Sequence, residues 1–217
     1  EVILIDKPGA PQTQIRIGAL GVARSTPDYF PIQVMNTILG GAFSSRLNLN
    51  LREEHGYAYG AGSGFDMRLS GGAFLARASV QTDKTADALK EFFNELRGIS
   101  AAPVPDEELS RAKNFVALGF PGEFETSGDR ARKLEELLVY TLPETYFERY
   151  VASIQAVTAA AVQKAATTYA SGTAKSGSLP VVRPANLPST SLAFSFTYSW
   201  RVLVVVRRSE LATLLMV

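Results

Sequence analysis

Two spacings of apolar residues divide this chain. Near the start, Val2 to Asp6 forms a short apolar run, and after a Pro/Gly turn the segment "QIRIGALGVA" (Gln14 to Ala23) alternates as a strand does. The period then changes to that of a helix. Asp28 stands where a helix cap belongs, Pro31 falls in the first turn of "DYFPIQVMNTILGG", and Gly40-Gly41 end it. A second helix is predicted for "SSRLNLNLREEH", with Ser44 as its cap and Gly56 as its stop.

Beyond Gly56 the period returns to two. In "YAYGAGSGFDM" the alternation predicts Tyr57, Tyr59, Ala61, Ser63, Phe65 and Met67 on one face, and Ala58, Gly60, Gly62, Gly64 and Asp66 on the other. The second face has almost no side chains. A turn near Leu69 to Gly71 leads into "GGAFLARASVQ" (Gly71 to Gln81), the predicted antiparallel partner.

From Thr85 onward the pattern is helical, and Leu89, Phe92, Phe93, Leu96 and Ile99 make a core-facing stripe. Further helices are predicted over Asp106–Phe120, Ser127–Thr141, Pro143–Ile154 and Thr158–Tyr169. Their apolar sets include Leu134, Leu137 and Leu138, then Phe147, Tyr150, Val151 and Ile154. A few strands followed by a run of helices predict an α+β fold, a two-layer sandwich whose mainly antiparallel sheet is covered on one face by helices.

The last part differs. Between Ala170 and Ser199 the only charges are Lys175 and Arg183, among Ser, Thr, Pro and Ala, and the stretch reads as linker or irregular coil. The division is therefore an α+β domain over 1–170, then an atypical segment over 171–217 that includes a possible final strand. Its apolar "VLVVV" (Val202 to Val206) is flanked by Arg201, Arg207 and Arg208, far short of the roughly 20 apolar residues a spanning helix needs, and reads as a buried strand. No internal repeat is present.

Composition removes several classes of function. With 22 Lys and Arg against 21 Asp and Glu, the net charge is +1, so no strong field draws nucleic acid or anionic lipid to the chain. The absence of cysteine excludes disulfides, thiolate metal sites and cysteine nucleophiles, but is compatible with both cytoplasm and bacterial periplasm. The chain starts at Glu1 rather than methionine, and is read as a fragment or processed piece with any targeting segment upstream.

The densest chemistry lies in "LREEHGYAYG", Leu51 to Gly60, which holds the single histidine. Glu53, Glu54 and His55 are consecutive, and consecutive helical residues diverge by about 100°, so they cannot converge on one ion. No metal ligand set is assigned. Ser44 and Ser45 lack the GxSxG setting of a strained nucleophile, and "GAGSG" lacks both GxGxxG spacing and a following helix to receive a phosphate. A bare glycine face marks close approach of another backbone, either a packed helix or a bound extended peptide. Arg52, on the last helical turn, and Tyr59, on the strand leaving it, can aim a guanidinium and a phenol at one carbonyl or oxyanion. The alternative is structural: Arg52 solvated, Tyr59 half-buried with its hydroxyl at the rim.

The stretch "DYFPIQVMNTILGGAFSSRLNLNLREEHGYAYGAGSG", with "GGAFLARASVQTDKTADAL", "PDEELSRAKN" and "VTAAAVQKAATTY", resembles the C-terminal half of zinc peptidases of the pitrilysin, insulinase and mitochondrial-processing-peptidase family. The resemblance covers roughly Val2 to Tyr169. It implies two homologous halves closing around a peptide, with an HxxEH zinc motif in the other half, fused or separate. It also implies that Arg52 and Tyr59 hold the substrate backbone and steady the oxyanion in trans, with Gly60 and Gly62 in the substrate-binding stretch. HxxEH is missing from this chain, so no cofactor is expected in it and no peptide hydrolysis by it alone. A catalytically silent scaffold or assembly subunit of the same fold is the second reading.

Overall fold

The structure, a computed structural model, describes residues 2–170 and 201–206. Five strands form one sheet: β1 (Val2–Asp6), β2 (Gln12–Leu20), β3 (Ala58–Met67), β4 (Gly72–Gln81) and β5 (Arg201–Val206), in the order β1-β5-β2-β4-β3. The apolar run at the C-terminal end is indeed a strand. It lies between β1 and β2, parallel to β1 and antiparallel to β2, with Ile15 opposite Val204. All other pairings are antiparallel, so the sheet is mainly antiparallel as expected. The reading of Ala170 to Ser199 as coil falls almost wholly outside the described residues.

Helices follow the predicted spans closely. They are α1 (Tyr29–Asn36), α2 (Arg46–Asn48), α3 (Thr85–Ala101), α4 (Asp106–Gly119), α5 (Ser127–Val139), α6 (Tyr146–Gln155) and α7 (Ala159–Ala165). Three continue as wider, π-type turns: α1 through Thr37–Gly41, α2 through Leu49–Glu54 and α7 through Ala166–Ala170.

The core lies between the helices and one face of the sheet. Ile15 and Ile17 of β2 and Phe74, Ala76, Ala78 and Val80 of β4 are buried with Met35, Leu51, Phe92, Leu96, Ile99 and Ile154 from the helices. Full burial of each larger side chain contributes roughly 1.5–3 kcal/mol. Alternation on β4 is clear, with Leu75 and Arg77 exposed between buried neighbours.

Three local expectations are corrected. Asp28 occupies the cap position of α1 but makes no side-chain cap bond, because its carboxylate accepts a 2.6 Å hydrogen bond from the Tyr169 hydroxyl. The cap position of α2 is Ser45, not Ser44, and the Ser45 hydroxyl is buried without a partner among the described residues. On α5 no residue is fully buried, and Leu134 (62% exposed) and Leu138 (80%) face solvent. On the same helix Glu136 faces Arg24, which is only 5% exposed. Arg24 Nη2 donates to Glu136 Oε1 at 2.8 Å and to the Tyr146 hydroxyl at 2.9 Å, and its guanidinium lies 3.6 Å over the Tyr29 ring. A buried guanidinium left without a carboxylate would be costly, and Glu136 relieves that cost.

Candidate functional site

Two chain segments meet where α2 ends and β3 begins. The wide turn after α2 stops at Gly56, whose φ of +64° lies in the left-handed region that favours glycine. Beside this break, the His55 and Tyr57 rings stack with centroids 4.9 Å apart, and Gln81 Nε2 donates to the Gly56 carbonyl at 2.9 Å. Among the described residues no group of three or more His, Asp, Glu or Cys side chains could hold an ion.

On β3, Ala58 opposes Val80 while Ala61 opposes Ala78, so β3 carries one residue more than β4 across this step. That is a β-bulge. It breaks the simple alternation expected from the sequence: Ala58 is buried and Tyr59 is 85% exposed, while Ser63 and Phe65 turn to the helix side. Ser63 Oγ is hydrogen-bonded to Asn36 Oδ1 at 2.8 Å, and the Phe65 and Phe74 rings lie 4.9 Å apart. Bulges re-aim side chains, and here the one re-aimed is Tyr59.

The Arg52 guanidinium lies 5.3 Å from the centroid of the Tyr59 ring and 4.6 Å from that of Phe43. Arg52 also forms an ion pair with Glu53 at 3.2 Å. The structure therefore brings Arg52 and Tyr59 together, as the sequence suggested, and adds Phe43, which sequence reasoning missed. Phe43 is 64% exposed. A large apolar side chain two positions before the α2 cap, outside any periodic stripe, was the available signal.

The glycine run divides by position. A Cβ on Gly62 would stand 2.9 Å from the Gly40 carbonyl oxygen, so packing by the end of the α1 segment explains this glycine. Gly60 has only Asn48 Oδ1 at 3.6 Å, and Gly64 has nothing within 4 Å. Asn48 Oδ1 accepts from the Ala61 amide at 3.2 Å, and its Nδ2 donates to the Phe43 carbonyl at 2.7 Å. One buried amide thus ties the Phe43 turn to the strand bearing Tyr59.

An exposed phenol and a guanidinium beside two aromatic rings, on a two-layer α+β fold, make a polar, donor-rich site. Residues 1–116 match the model of the peptidase M16 inactive domain, and the chain belongs to that family. It is 28% identical over 125 residues to an uncharacterized zinc protease of Mycobacterium tuberculosis, a match covering 58% of this chain and 28% of the relative. A Streptomyces coelicolor protein, also named an uncharacterized zinc protease, is 33% identical over 101 residues, 46% of this chain and 22% of that protein. The matched stretch is thus less than a third of either relative. The crystal structure of a peptidase M16 inactive domain from Pseudomonas fluorescens superposes with a TM-score of 0.76 at 22% identity, over 95% of this chain and 43% of that one. A Helicobacter pylori protease gives 0.73 at 17% identity, over 94% and 43%. These two establish the likeness of fold.

Proposed function

We propose that this chain is the non-zinc half of a zinc metalloendopeptidase and supplies substrate-binding and oxyanion-stabilising groups to a homologous half carrying HxxEH. Zinc held there would polarise the scissile carbonyl and activate water. In this chain Arg52 and Tyr59 hold the substrate backbone and donate toward the developing oxyanion, while Gly60 and Gly62 keep the strand beside Tyr59 free of side chains. The observation that carries this reading is the convergence of Arg52 and Tyr59 across the Gly56 break, with the phenol exposed. Fixed donors in a site that closes against water stabilise a transition state more than a ground state.

The second reading, a silent scaffold subunit, draws on the Arg52–Glu53 ion pair, which satisfies the guanidinium without a substrate. Cleavage of a quenched peptide by this chain mixed with its zinc-bearing half separates the two. Tyr59→Phe and Arg52→Ala are each expected to slow turnover by about a hundredfold. Wild-type rates from both variants would remove Arg52 and Tyr59 from the site.

A further inference from the structure

On the sheet face turned away from the helices, Arg16 of β2 and Arg77 of β4 stand directly opposite one another. Like charges in this relation destabilise a sheet, and a carboxylate nearby would relieve them. Among the described residues neither arginine has one: no ion pair involves Arg16 or Arg77, and Asp66, on the same face, is held by Arg68 at 2.6 Å. Elsewhere Arg24, Arg46 and Arg52 are each paired with a glutamate.

The surroundings of Arg16 are ordered. Its Nη1 donates to the Ile15 carbonyl at 2.9 Å and its Nη2 to Gln14 Oε1 at 3.4 Å, and the same oxygen accepts from Ser79 Oγ at 2.8 Å. A guanidinium held this way loses little freedom when it meets a ligand. Arg77 beside it is exposed. In the next register row, Leu75 is 39% exposed and pairs with Gly64 on one side and Gly18 on the other. Gly64 would leave even a Cβ in open space, so the sheet face on the β3 side of Leu75 is flat.

We infer that this face binds the side-chain carboxylate of an acidic residue in an extended peptide, seated on Arg16 and Arg77 with a neighbouring apolar residue over Leu75. Guanidinia carried on two opposed strand positions suit a planar carboxylate through charge-assisted hydrogen bonds, and Leu75 in the next row favours a peptide over a small inorganic anion. The peptide class rests on the function proposed above, whereas the charge preference stands on the arginine pair alone.

Fluorescence anisotropy with the 217-residue chain tests it, using a labelled, C-terminally amidated octapeptide with a central glutamate against its glutamine twin. Wild type is expected to bind the glutamate peptide about tenfold more tightly, close to the low end of a charge-assisted hydrogen bond. Arg77→Gln, an exposed change, should reduce that ratio, and Arg16→Gln with Arg77→Gln should abolish it. Equal binding of the two peptides by wild type, or a preference that survives the double change, overturns the inference. So does a preference shown only for a glutamine peptide with a free C-terminal carboxylate, since the site would then read chain ends. No zinc-bearing half is present in this assay, so rapid cleavage by the Tyr59 and Arg52 variants would refute the catalytic reading while leaving this result untouched.

Discussion

The Arg52 guanidinium rests over the Phe43 ring at 4.6 Å, on the side chain's path toward Tyr59. A cation over an exposed ring gains about 0.5–1 kcal/mol, enough to bias a long side chain toward one position. Phe43 thus holds the Arg52 guanidinium on the Tyr59 side of the turn.

Phe43→Ala should lower kcat of the reconstituted peptidase about two- to fivefold, the kinetic equivalent of that energy, while lowering the melting temperature by no more than about 4 °C, since the ring is largely exposed. Phe43→Trp should restore the rate. A rate unchanged in Phe43→Ala removes Phe43 from the site.

Gly40 and Gly64 make a matched pair for stability. A Cβ on Gly40 would collide with the Ser63 amide and stand 2.8 Å from the Gly62 carbonyl carbon, whereas one on Gly64 would meet nothing within 4 Å. Gly40→Ala should destabilise the chain by about 1–3 kcal/mol in urea unfolding, and Gly64→Ala should stay within about 0.5 kcal/mol of wild type. Equal effects from the two changes would refute the close approach of the α1 end to β3.

Alkaline pH should unfold the chain through its buried phenols. Burial pushes the Tyr150 hydroxyl up to about 12 and raises that of Tyr29 further. The folded state then keeps protons that the unfolded state loses above about 10, so stability is fully present below that pH and falls as pH rises toward 12. For Tyr150 alone the loss reaches about 3 kcal/mol, at 1.36 kcal/mol for each pH unit. Denaturant titrations at pH 8, 10 and 11.5 should show this decline, with a shallower slope in Tyr150→Phe. A flat profile would place these phenols in contact with water.

The hydrophobic pattern alone determined much of this protein. The α3 stripe of Phe92, Leu96 and Ile99, the β3–β4 hairpin, the Gly56 break and the strand-forming character of Val202 to Val206 follow from periodicity and turn chemistry, which act between near neighbours in the chain. The Arg52 and Tyr59 pairing was legible for the same reason, since only six residues separate them. Tertiary structure decided what depends on partners far away in sequence. The bulge that turns Tyr59 outward exists only in the register of β3 against β4. Arg24 meets Glu136 of α5, 112 positions away, and Leu134 and Leu138 on that helix are exposed. Asp28 gives up its cap bond to Tyr169, 141 positions away. The opposition of Arg16 and Arg77 likewise arises from strand register, because a spacing of 61 residues in the chain carries no local signal for it.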